Sequence, residues 1–133
     1  PIFFSFLVNR LNMDKYLLFN EQATAADIGD AANDVVCYPL SRFKGFTNTA
    51  SDTRLHMIFE GALEGMADGD ASSVDNITLT ITANKQVEAM KEISNAIASD
   101  ISGVIVIADM TSGATNFVSS YITGVSIAVS AAD

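Results

Sequence analysis

Cysteine, histidine, tryptophan, proline and positive charge are all scarce in this chain. Its 133 residues include one cysteine, one histidine, two prolines, no tryptophan and seven Lys plus Arg. A lone Cys37 excludes an internal disulfide, and with His56 as the only histidine there is no Cys/His spacing for zinc. Seven cations against sixteen Asp plus Glu leave a net charge of −9 and a pI near 4.2. That mean field repels phosphate backbones and anionic headgroups, so neither nucleic acid nor a membrane surface is an expected partner. The apolar run from Pro1 to Val8 ends at Asn9-Arg10, too short to span a bilayer. It also lacks the basic stretch before it and the small-residue cleavage site after it that a signal peptide needs.

Apolar residues make up 49% and charged residues 17% of the chain, with a mean hydropathy of +0.29. Disorder is not expected at that composition, and a chain of this length is expected to build one core, burying roughly two-thirds of its unfolded surface. Abundant Ser, Thr, Ala and Gly favour close packing, and part of the apolar excess is expected to serve an oligomer interface. The sequence opens on Pro1, whereas Met13-Asp14-Lys15-Tyr16 resembles an ordinary start. Residues 1–12 are therefore expected to be upstream translation, the alternative being a remnant of a truncated signal sequence, and residues 13–133 a single domain.

Periodicity places the elements. Lys15 to Phe19 reads as a strand, and Asn20 to Asn33 as a loop with a helical turn within Ala23 to Ile28. Val35 to Leu40 is β-branched and aromatic, a strand whose Pro39 marks an edge or an end. Ser41 to Ser51 is expected to turn through Gly45. Arg54 to Leu63 alternates, with Leu55, Met57, Phe59 and Leu63 on one face and His56, Ile58 and Glu60 on the other. Glu64 to Asn76 reads as a solvated hairpin loop, which makes the next strand, Ile77 to Thr82, an antiparallel neighbour. Val87, Met90, Ile93, Ile97 and Ile101 then recur at helical spacing, predicting an amphipathic helix from about Lys85 to Ser99, capped by Asn84 and closed by Gly103. Val104 to Ala108 reads as a strand covered on both faces, Asp109 to Ala114 as a turn, and Phe117 to Ser130 as one long strand with a small-residue side at Gly124, Ser126 and Ala128. The fold class predicted is α+β: an antiparallel-dominated sheet of five or six strands packed on that one helix.

Site chemistry is thin. Cys37, within Val35-Val36-Cys37-Tyr38, reads as a buried strand thiol, and His56, with no Ser or Cys partner in a motif, as a satisfied or surface strand histidine. Asp68-Gly69-Asp70 with Asp75 is the most site-like cluster, since closely spaced carboxylates suit a hard cation. It fails the EF-hand pattern, because Ser73 stands at loop position six and Leu79 at position twelve, and a solvated hairpin tip is the preferred reading over calcium binding. Asp27-Ile28-Gly29-Asp30 is a weaker version. Arg42, Lys44 and Arg54, interleaved with Phe43 and Phe46, are expected to form a solvated loop anchored by its phenylalanines; docking onto an acidic surface such as Glu64 to Asp75 of another copy is the alternative. Thr111-Ser112-Gly113-Ala114-Thr115 lacks the glycine spacing and lysine of a phosphate loop. No catalytic, cofactor-binding or metal-ligating residue is assigned, and no cofactor is expected.

The order of Asp34-Val35-Val36-Cys37-Tyr38-Pro39-Leu40, Arg54-Leu55-His56-Met57-Ile58-Phe59-Glu60-Gly61, Ile77-Thr78-Leu79-Thr80-Ile81 and Glu88-Ala89-Met90-Lys91-Glu92-Ile93-Ser94-Asn95-Ala96-Ile97 resembles small uncharacterised proteins of marine bacteriophages. The resemblance covers about residues 34 to 98 and carries no catalytic residues onto the chain. It implies a virion-associated or otherwise assembling protein, soluble, in the cytoplasm during assembly or in the virion. The expected function is that of a non-enzymatic, self-assembling structural or interaction protein, with a small-ligand-binding module as the alternative. The expected partners are further copies of the chain, through Phe117 to Ser130 or Ile2 to Val8, and other virion proteins.

Overall fold

Alternation with period two drives most of the chain into strands, and the one stretch of helical period forms a helix. In the computed structural model, which describes residues 15–60, 74–99 and 103–129, the order is β1 (Lys15–Asn20), β2 (Val35–Pro39), β3 (Phe43–Thr47), β4 (Arg54–Glu60), β5 (Val74–Ile81), α1 (Gln86–Ser99), β6 (Gly103–Asp109), β7 (Asn116–Phe117) and β8 (Ile122–Ala128). Short 3-10 turns lie at Ala25–Asp27 and Leu40–Arg42. Every strand pairing is antiparallel except that of β1 with β6, so the fold is α+β and antiparallel-dominated with one main helix, as its periodicity predicts. The described strands divide between two four-stranded sheets rather than forming one: sheet I in the order β2-β1-β6-β7 and sheet II in the order β3-β4-β5-β8. Alternation fixes which residues share a face, not which strand lies beside which. No helix among the described residues is long and apolar enough to cross a membrane.

The inner faces of the two sheets build one core. Leu17, Phe19, Tyr38, Ile105 and Ile107 from sheet I meet Leu55, Met57, Phe59, Ile77, Leu79, Val125 and Ile127 from sheet II, all buried. Tyr38 of β2 stacks on Phe59 of β4 at 4.2 Å and 10°, and Phe19 of β1 meets Phe59 edge-on at 5.6 Å. Such ring pairs contribute about 0.5–1.5 kcal/mol each beyond their buried area, which ties the sheets together at this end. The helix lies on the inner side of sheet I: Lys15 Nζ, reaching in from β1, donates to the Ile97 carbonyl in the last turn at 2.6 Å. That bond satisfies one of the orphan carbonyls of the helix end and sets a positive charge at the negative end of its dipole.

Several local expectations are corrected by the packing. The stretch read as a turn through Gly45 is strand β3; Gly45, at φ +145°, takes a bulge between Phe43 and its partners on β4, a backbone that glycine adopts without strain. The helix buries Ala89 and Ile93 fully and Met90 and Ile97 in part, while Val87 is 56% exposed. The stripe is displaced because the backbone comes close enough for alanine to make the contact. Lys85, not Asn84, holds the N-cap position, its carbonyl accepting from Ala89 N, while Asn84 sits one residue earlier at φ +64°. Gly103, at φ +96°, opens β6 instead of closing the helix. The alternating run after Phe117 is broken: β7 ends in sheet I, Ser119 turns the chain through bonds from the amides of Tyr121 and Ile122, and β8 starts in sheet II. Ser119 donates in turn to Glu92, which pins this corner to the helix.

Candidate functional site

Polar side chains with chemical potential are drawn into internal contacts. His56 of β4 is buried, and both ring nitrogens are satisfied. Its Nδ1 lies 3.0 Å from Asn76 Oδ1 and 3.0 Å from Thr78 Oγ1, and its Nε2 lies 3.0 Å from Thr49 Oγ1. With the Asn76 carbonyl as acceptor, Nδ1 carries the proton and Nε2 accepts from the Thr49 hydroxyl. The expected satisfied strand histidine is what the structure contains.

Asp75 overturns its reading as a loop carboxylate. It belongs to β5 and is fully buried, and Tyr38 Oη donates to its Oδ2 at 2.5 Å. Burial first, and the Asp75 hydrogen bond second, push the Tyr38 phenol well above its ordinary range. Asp75 therefore does not face solvent as a cation ligand would, while Asp68 and Asp70, like most of the acidic loop, lie outside the described residues. Among the described residues no group of three or more His, Cys, Asp and Glu side chains is placed to hold a metal ion. The sequence signal for Asp75 was present but ambiguous: it stands in phase with Ile77, Leu79 and Ile81 on the inward side of the alternation, which an acidic, Ser-rich stretch hides.

A second polar cluster, which sequence reasoning missed, caps the C-terminal ends of the parallel strands β1 and β6. Asn20 Nδ2 donates to Asp109 Oδ1 at 2.8 Å, and the Thr111 hydroxyl donates to the same oxygen at 2.7 Å. Partial burial pushes the Asp109 carboxyl up, but hydrogen bonds from Thr111 and Asn20 outweigh it and hold the group below its ordinary value. Three amides of the Thr111 to Thr115 turn are taken within the chain: Thr111 N by Asp109, Ser112 N by the Ala23 carbonyl and Ala114 N by the Thr111 carbonyl. They are not presented to a phosphate. The next residue along each strand reaches sheet II, for Glu21 Oε1 accepts from Ile127 N at 2.6 Å and Met110 Sδ from Val125 N at 3.3 Å. These two side chains occupy the outward amides of the edge strand β8.

The basic cluster is not gathered into one patch. Lys44 lies on β3 next to Phe43, which pairs with Phe59, whereas Arg54 starts β4. Five residues of strand separate those ends, on the order of 15 Å. Phe43 packs on Phe59 at 5.2 Å and on Phe46 at 5.1 Å, so the phenylalanines anchor this stretch as expected.

The outer face of sheet I is largely apolar. Register places Pro39, Tyr16 and Val104 in one row of the outer face of sheet I, and Cys37, Leu18 and Val106 in the next, with Val35 beyond. Tyr16 is 42%, Val35 39% and Val104 59% exposed. Cys37, expected to be buried, is exposed in this face, because Val36 and Tyr38 take the inward positions of β2. What burial it has raises its thiol, which lowers the thiolate fraction and makes it a poor nucleophile. β6 is likewise covered on one face only. On the opposite side of the molecule, the outer face of sheet II carries Thr47, His56, Thr78 and Ser126 in one row, a polar surface suited to water. Gly124 of β8 is buried while Ser126 and Ala128 are exposed, so the small-residue side does not form one continuous surface; Ile2 to Val8 lie outside the described residues.

No family model matches the chain, and no curated protein or solved structure is significantly similar to it.

Proposed function

We propose that the protein is a non-enzymatic structural or interaction protein that assembles with copies of itself. The observation that carries this reading is the outer face of sheet I, where Tyr16, Leu18, Val35, Cys37, Val104 and Val106 form an apolar sheet surface that the core does not use. Contiguous apolar surface of this kind, rimmed by polar residues, marks protein interaction sites. The likeness of residues 34 to 98 to small marine bacteriophage proteins favours a virion as the setting and other virion proteins as further partners. The small-ligand module has less support, because the rings of Phe19, Tyr38, Phe43 and Phe59 pack against one another between the sheets at one end. Light scattering on the full chain across a concentration series tests the proposal. A mass that is a multiple of 14.1 kDa is expected, and a single-chain mass at every concentration refutes it.

A further inference from the structure

We draw no further inference here: the strongest candidate, the largely apolar outer face of sheet I around Tyr16, Cys37 and Val104, carries nothing beyond the proposed self-assembly because nothing in the structure shows what covers it.

Discussion

Burial and the Asp75 hydrogen bond both keep the Tyr38 phenol protonated in the folded chain, with its affinity for the proton raised above that of the unfolded chain. The unfolded chain therefore releases this proton first. The stabilisation is fully present below the ordinary tyrosine value near 10 and is lost as pH rises above it. Urea unfolding across alkaline pH should show stability falling from about pH 10 upward, and Tyr38→Phe should flatten that fall; an unchanged slope would rule out Tyr38 as its source. At neutral pH the same variant should cost about 1–3 kcal/mol, because a buried carboxylate loses a donor. Little of this residue pair was legible in the sequence. Asp75 sits among acidic and small residues that read as solvated, and its partner in β2, distant in sequence, helps to make burial tolerable. Cys37 was misplaced for a related reason: Val35-Val36-Cys37-Tyr38 is apolar on both faces, so alternation alone does not say which face is inside. His56 was legible, since an alternating strand sets it opposite Leu55 and Met57 and its polar cross-strand neighbours follow.

β1, β2, β4, β5, β6 and α1 are predicted by the sequence, with β4, β5 and α1 the most sharply marked because each buries one face and exposes the other. β3 was not, since Lys44 and Gly45 interrupt its pattern and its strand state depends on pairing with β4. In the helix the large side chains suggested a stripe through Val87, whereas close approach selects Ala89 and Ile93. Ile93→Ala should cost roughly 2–5 kcal/mol in denaturant unfolding. Val87→Ala should cost under about 0.5 kcal/mol; equal losses for the two would contradict the helix orientation. The guarding of β8 is also a property of elements, because Glu21 and Met110 follow β1 and β6 directly and reach the other sheet. Glu21→Ala should expose the Ile127 amide, lower stability by about 1–3 kcal/mol and permit further association at that edge. Light scattering on this variant should show masses above the wild-type value, and an unchanged mass would mean that the edge is closed by other means.

At the scale of the whole molecule, a charge of −9 surrounds an apolar face on one sheet and a polar face on the other. The two-sheet division was hidden in the sequence, since it arises from pairing between strands far apart in the chain, and with it the outer face of sheet I was hidden too. That polarity sets the behaviour in solution: screening within about 8 Å at physiological salt weakens the repulsion between copies while apolar contact is left intact, so association should strengthen with added salt. Cys37 lies within the proposed contact and reports on it directly, because alkylation requires access to the exposed thiol. The rate of Cys37 alkylation in the full chain should fall as protein concentration rises through the range in which copies associate, and should stay constant in Val104→Lys. A wild-type rate that does not change with concentration would contradict assembly through sheet I.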